Sequence, residues 1–448
     1  MKRSFTLPII ILLTLTACDL ASDDENNAWN SQNQNNSSNN LQTQLYTITG
    51  VVWSPGADDT HVLSENRFPI PGALVAAYPY EPDPPPEERF YCQTCLEVPK
   101  EIPSTISGFD GSFTLKLMPE TDYYLVVQKG LFRRVTELRS GFSGETRNLE
   151  PSSPAEIRFS GLALPNTHDP EDGKWTPRIL IIVGRGEGFL HEAYDALGLV
   201  GNIDYEMIAD KDAEYIAANV SELTKYSIIV ASCGDEATYL SKPRVRTALR
   251  EYVKLGGRLF IDDFAYDWVE QPFPEFLSFQ VDYTLDYQQG ICAEGAVAPD
   301  QVGACVNYAC YDPEGYTEDA YLQGWLDTVY DADALPLEYG CNIIRRMGEG
   351  VQGECDDLEN PKCQGGLLID TPKVWLMGKW MGSTQYAPEY VEPITVSWNY
   401  YCGKVLYTAL HTHAGDEPMG GYKLLLQEKI MIYLLLELQT CITQEVVE

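Results

Sequence analysis

The sequence predicts a chain of mixed class, α/β plus all-β: a small β-sandwich followed by a doubly wound parallel-sheet domain with a disulfide-rich insertion. Three observations lead there. Short β-rich runs broken by Gly and Pro fill residues 45–150. From residue 177, apolar runs of strand length alternate with helical patterns of about 10–15 residues, as in a parallel sheet covered on both faces. That alternation lapses between residues 265 and 372, where six of the twelve cysteines gather.

Composition sets the bounds. The 448 residues leave room for two or three domains of roughly 100–200 residues each. With 44% hydrophobic and 22% charged residues, most of the chain buries cores. Lys and Arg number 31 against 66 Asp and Glu, a formal net charge of −35. Such a surface repels phosphates and excludes a nucleic-acid partner bound through a basic patch. Twelve cysteines point to an oxidising compartment.

Residues 1–17 have the form of a secretory signal peptide. Lys2 and Arg3 precede an apolar stretch, Ile9 to Leu13, that is too short to span a bilayer. The stretch ends in Leu15-Thr16-Ala17-Cys18, which resembles the lipobox of bacterial lipoproteins. That resemblance implies cleavage before Cys18 and acylation of its thiol, for example with palmitate, and of its new amine. Two or three acyl chains anchor firmly, at about 0.8 kcal/mol per buried CH₂. The alternative is an ordinary signal peptide with an incidental cysteine. Cleavage removes Lys2 and Arg3 and no acid, so the mature chain is more negative still. Residues 18–44 have almost no aliphatic side chains and make a polar tether. The expected location is the bacterial cell envelope, lipid-anchored in the outer or inner membrane on a periplasmic or surface face. The expected partners are that membrane and an unknown envelope protein or glycan.

Within 45–150, strands are expected at Tyr46–Trp53, Leu74–Tyr80, around Phe113–Leu117 and at Tyr123–Gln128. Phe113, Leu115 and Leu117 alternate with Ser112, Thr114 and Lys116, the period of a half-buried strand. Asp110-Gly111 signals a hairpin turn. Gly50-Val51-Val52, Pro69 to Val75, Asp110 to Phe113 and Tyr123 to Val127 together resemble the carboxypeptidase regulatory-like domain, a transthyretin-like β-sandwich. The resemblance implies a scaffold or interaction module. Cys92 and Cys95 lie downstream of Pro84-Pro85-Pro86, which favours a local disulfide over a redox site at a helix start. Residues 151–176 follow as a linker.

The α/β domain, 177–442, opens with the strand Arg178–Val183 and a helix presenting Leu190, Ala193, Tyr194 and Leu197. Gly184 to Gly188 between them lacks the spacing of a dinucleotide-binding loop. Strands are expected at Tyr205–Ile208, Tyr226–Ser232 and Arg258–Ile261. Val245, Ala248, Leu249, Tyr252 and Val253 form a helical face closed by Gly256-Gly257. After the insertion, 265–372, strands resume at Val374–Leu376, Ile394–Trp398 and Lys404–Leu410. A final helix over 421–438 is apolar nearly all round and must pack against the sheet.

This order resembles the class I glutamine amidotransferase-like superfamily over 178–264 and 373–438, and implies a flavodoxin-like sheet. By that resemblance Ser232-Cys233-Gly234 is the oxyanion turn, Asp262 to Ala265 the nucleophile elbow and His411 the base. The elbow departs from the family pattern: Asp263 or its neighbour stands where a cysteine belongs, which implies a catalytically degenerate binding or scaffold module. The catalytic candidates are Cys233, Asp263 and His411. One alternative pairs Cys233 with His411 in an envelope hydrolase. Asp262, Asp263, His411 and His413 also suggest a metal site, but residues two apart on a strand face opposite ways. Asp312, Glu314, Glu318 and Asp319 do not match the twelve-residue calcium loop. No metal or cofactor is therefore expected.

A second alternative is a carbohydrate-binding component. Tyr308, Tyr311, Tyr316, Tyr321, Trp325 and Tyr330 form either a recognition surface or a small core around a helix over 319–330. Apart from Cys18, the disulfide candidates are Cys92, Cys95, Cys292, Cys305, Cys310, Cys341, Cys355, Cys363, Cys402 and Cys441, an even set with Cys233 left over. The insertion is irregular enough to need such staples.

Overall fold

The computed structural model describes residues 44–87, 89–91, 98–150, 160–184, 190–233, 238–279, 314–330, 335–337, 344, 346–355, 360–380, 390–410, 412 and 422–439. Cys18, Cys92, Cys95, Cys292, Cys305, Cys310, Cys341, Cys441, Tyr308, Tyr311 and Asp312 lie outside these residues, as do the signal, nearly all of the tether and 185–189 of the glycine-rich turn.

Two sheets face each other in the N-terminal part. One contains β1 (Tyr46–Val51), β4 (Ser112–Leu117) and β7 (Thr146–Asn148), in the order β4-β1-β7. The other contains β2 (Leu74–Tyr78), β3 (Ser104–Ile106), β5 (Asp122–Lys129), β6 (Phe132–Arg139) and β8 (Lys174–Trp175), in the order β3-β2-β5-β6-β8. Phe113, Leu115 and Leu117 are buried and share a core with Val75, Ala77, Leu125 and Val127, while Ser112, Thr114 and Lys116 are exposed. The Asp110-Gly111 turn does not close a hairpin, because β3 and β4 lie in different sheets. Asp110 Oδ1 accepts from the Ser112 N–H (3.0 Å) and Gly111 takes φ 71°, so the turn carries the chain from one sheet to the other. Part of the segment read as a linker is built into the sandwich. Leu162 and Leu164 are buried and exchange backbone bonds with Trp53, and β8 pairs with β6. The apolar run at 161–164 has more to gain from burial than from spanning a gap.

The second part runs β9 (Ile179–Val183), α1 (Leu190–Ala196), β10 (Tyr205–Ala209), α2 (Glu214–Ala217), α3 (Val220–Leu223), β11 (Ile228–Ala231), α4 (Pro243–Lys254), β12 (Arg258–Asp262) and α5 (Asp267–Glu270). Next come β13 (Leu277–Ser278), β14 (Glu314–Tyr316), α6 (Ala320–Val329), β15 (Leu335–Pro336), β16 (Arg346–Met347), β17 (Gly350–Glu354), β18 (Cys363–Gln364) and β19 (Leu367–Asp370). Last are β20 (Lys373–Trp380), β21 (Tyr390–Tyr400), β22 (Gly403–Thr408) and α7 (Leu426–Leu438). The main sheet has nine strands in the order β10-β9-β11-β12-β22-β21-β20-β14-β15. The first five are parallel and, numbered among themselves, follow the order 2-1-3-4-5. The last four continue antiparallel. The insertion thus lends two short strands to the sheet, which its lack of periodicity conceals. A small sheet, β17-β19-β18, is stapled by Cys355–Cys363, with a Cα–Cα distance of 5.9 Å. Cys402 is disulfide-bonded as well.

Local chemistry explains the element ends. Pro243 occupies the first turn of α4, where its missing N–H costs nothing. Gly256, at φ 123°, and Gly257 end it; a Cβ on Gly257 would lie 2.3 Å from the Tyr252 ring. α7 begins at Leu426, later than the sequence suggests, because buried Asn66 holds the preceding chain extended. Its Nδ2 donates to the Tyr422 carbonyl (2.8 Å), and its Oδ1 accepts from the Leu424 N–H (2.9 Å).

α7 is buried around nearly its whole circumference. It packs on β12 and β22. Trp325 of α6 stacks on its Tyr433 (4.7 Å between centroids) and donates Nε1–H to the Pro69 carbonyl at 2.9 Å. The sandwich reaches the same helix through Lys129, which pairs with Glu437 at 2.6 Å, and through the Leu131 N–H, which donates to Gln439 Oε1. Trp325 therefore belongs to the core and not to a recognition surface, whereas Tyr321 remains 40% exposed. Among the described residues no helix is long and apolar enough to cross a membrane. Trp325→Ala should cost about 3–5 kcal/mol of stability, read as a lower urea midpoint.

Candidate functional site

In a sheet of order 2-1-3-4-5, the crevice lies outside the carboxyl ends of the strands, where the order reverses between β9 and β11. The register brings the expected residues to that end. Ala231 of β11 sits beside Ile182 and Ile261, which places Ser232 and Cys233 next to Asp262 and Asp263. Asp262 in turn faces Thr408 of β22. His411 and His413 lie outside the described residues, so their convergence with Cys233 is not part of this geometry. Gly234, expected in an oxyanion turn, also falls outside.

Asp263 has φ 34°, a left-handed backbone in a non-glycine residue. Such a conformation costs on the order of 1–3 kcal/mol and persists where the surroundings enforce it. Here the Tyr266 N–H (3.1 Å) and the Tyr407 hydroxyl (3.4 Å) both donate to the Asp263 carbonyl. The chain therefore bends sharply just after β12, with a carboxyl on the bend. Asp262 and Asp263 are both fully buried.

Burial pushes the Asp262 carboxyl well above the usual carboxylate range, and the neighbouring Asp263 adds to the shift. The Cys233 N–H opposes it weakly, falling short of a formed hydrogen bond, so both Asp262 oxygens have no hydrogen-bond partner. The Tyr194 hydroxyl, Ser232 Oγ and Thr412 Oγ1 are likewise buried without a hydrogen bond. Burial raises Tyr194 and Tyr407 above the ordinary phenol range, reinforced by Asp262 at Tyr194 and by Asp263 and Asp262 at Tyr407. Cys233 carries a buried thiol, 7% exposed. The result is a buried polar cluster in which burial and the neighbouring Asp263 disfavour the charged form of Asp262.

Glu270 extends this cluster. Phe279 packs on Tyr407 (4.7 Å), and its N–H donates to Glu270 Oε1 at 3.2 Å. Burial raises the Glu270 pKa to about 7, Asp267 adds to the rise, and the Phe279 N–H, Ser278 and Arg346 oppose it. Tyr194, Tyr407, Thr412 and Glu270 carry no motif, and the sequence offers no signal for them beyond membership of a core strand or helix.

The remaining candidates separate. Asp319 caps α6, accepting from the Leu322 N–H at 2.8 Å, and pairs with Lys373 at 2.6 Å, so it is structural. Among the described residues no group of three or more His, Cys, Asp or Glu is arranged to hold a metal ion.

No family model and no curated protein matches the chain in sequence. Solved structures similar to it include a cytoplasmic protein from Salmonella typhimurium, 14% identical, covering 59% of this chain and 98% of that one, with a TM-score of 0.33. A ThuA-like protein from Bacteroides uniformis is 12% identical, covering 58% and 88%, with a TM-score of 0.30. A β-galactosidase from Bacillus circulans is also 12% identical, covering 58% of this chain and 30% of that one, with a TM-score of 0.27. Likeness at this level assigns no activity.

The buried acids make stability pH-dependent. Between the ordinary value of 4.5 and about 7, folded Glu270 holds a proton that the unfolded chain has released, so stability falls as pH rises through this window. Glu270→Gln should flatten that slope between pH 5 and 8 and raise Tm at pH 8 by several degrees, measured by thermal unfolding across pH.

Proposed function

We propose that this chain is a lipid-anchored envelope protein that works by binding or scaffolding, built on a flavodoxin-like, amidotransferase-like sheet whose hydrolytic apparatus is degenerate. The observation that carries the reading is Asp263. It stands on the left-handed bend after β12, where the amidotransferase resemblance implies a nucleophile, and it is fully buried beside an equally buried acid. A carboxyl buried this completely is poorly placed to act as a nucleophile on a substrate arriving from solvent. Cys233 supports the same reading, since its thiol sits at the end of the adjacent strand and is almost closed to solvent. Reactive cysteines occupy partly exposed, electropositive surroundings, whereas this one lies beside two acids.

The sandwich contributes a second surface and, in this reading, the tether and acylated Cys18 hold both parts near a membrane. The partner is an envelope protein or a glycan.

Two measurements test the proposal on the full chain. Cys233 should resist a thiol-directed alkylating reagent in the folded protein and react in urea, while amidase and esterase rates should be the same in wild type and Cys233→Ala. A hydrolytic activity abolished by Cys233→Ala would overturn the reading in favour of the hydrolase. Palmitate incorporation and membrane fractionation should both be lost in Cys18→Ser; incorporation that survives this change removes the anchor.

A further inference from the structure

A cavity of about 590 Å³ opens at the other end of the main sheet, beside the start of β20 and β22 and the end of α7. Its size falls within the range of roughly 300–1,000 Å³ typical of small-molecule sites. Three separate parts of the chain build it: the β5 end of the sandwich, the insertion and the sheet domain. Its lining contains four lysines against three carboxylates, a local excess of positive charge in a chain whose net charge is −35.

The distribution of partners sharpens this excess. Lys129, 4% exposed at its side chain, takes the Glu437 carboxylate at 2.6 Å, and Tyr433 also hydrogen-bonds that carboxylate. Lys373 takes Asp319 at 2.6 Å and lies 3.4 Å from the centre of the Trp375 ring. Lys404 reaches only the backbone carbonyl of Glu437, at 3.2 Å, and makes no ion pair among the described residues. Its ammonium is thus the cation of this cleft that makes no ion pair among the described residues, although the Glu437 carboxylate lies near enough to act on it. Burial pulls its pKa down to about 8; Glu437 resists, while Lys373, Arg258 and Lys129 add to the fall. Retaining a buried, unbalanced ammonium is costly. A bound anion removes that cost.

We propose that this cleft binds a small organic anion, a carboxylate, sulfate or phosphate on a body of about sugar size, with Lys404 and Lys373 as its principal contacts. The oxyanion completes the charge balance at Lys404, and the body lies along the wall that Trp375 contributes. The site is separate from the acidic pocket at the strand carboxyl ends and does not depend on how that pocket is read.

The test is titration calorimetry on the detergent-solubilised full chain in a low-salt, non-binding buffer. The probes are sodium glucuronate, glucose 6-sulfate and glucose 6-phosphate, with glucose as the neutral counterpart. Saturable one-site binding of at least one organic anion, without binding of glucose, is expected. Lys404→Gln should weaken it at least tenfold while leaving Tm unchanged or higher, since the unbalanced charge is gone. Lys373→Gln, at a half-exposed position, should weaken it several-fold, with the Tm of the variant confirming that it is folded. Absence of binding by all three anions, equal binding of glucose, or undiminished affinity in both variants would overturn the proposal.

Discussion

A helix that is apolar around its circumference is stable only if it is covered on every side, and α7 imposes that condition on the whole molecule. The sheet covers one flank through β12 and β22, α6 covers another by laying Trp325 on Tyr433, and the β5–β6 turn of the sandwich closes the end through Lys129, Leu131 and Gln439. The last of these contacts is close. Gly130 is left-handed at φ 59°, and a Cβ there would lie 2.3 Å from the Cβ of Gln439, so the turn fits only as glycine. Sandwich, insertion and sheet domain are therefore not beads on a string: each supplies part of the environment that one helix requires.

The same arrangement separates two polar sites by the length of the sheet. At the carboxyl ends, the chain keeps a bent backbone and two buried acids. At the opposite end, the junction of the three parts leaves a cleft with too few carboxylates for its lysines. The first breaks the rule that buried polar groups find partners, and the second leaves an ammonium with a backbone carbonyl but no ion pair among the described residues. The acids can shed their charge by taking a proton, and at least Asp262 is pushed toward doing so. Lys404 is held near the pH at which either form is accessible, which suits a group that waits for an anion.

Much of the architecture was legible in the sequence because it rests on periodicity and punctuation. The alternation at Phe113–Leu117, the apolar run at 179–183, the Gly256-Gly257 end of α4, and the helix around Trp325 all appear where residue pattern places them. Strands of two or three residues such as β14 and β15 have no period to read, and they exist because β20 offers them an edge. Asp110-Gly111 misled because a turn signal fixes local geometry and not which sheet the next strand joins. At the candidate site, the absent cysteine at Asp262-Asp263 was readable, but burial, the left-handed φ and the unpartnered Tyr194 and Thr412 were not. The lysine cleft was invisible for a simpler reason: Lys129, Asp319, Lys373, Lys404 and Glu437 are separated by long stretches of chain, and only the fold makes them neighbours.

The place of α7 in the chain has a consequence for biogenesis. Ribosomes and export channels deliver a polypeptide from its N-terminus onward, and this helix follows every other described element. Until it emerges, the hydrophobic faces of Trp325, of β12 and β22, and of the β5–β6 turn lack their common cover. The described elements that precede it must therefore be kept from aggregating until nearly all of them have been made, so the fold is completed last at the helix on which it depends.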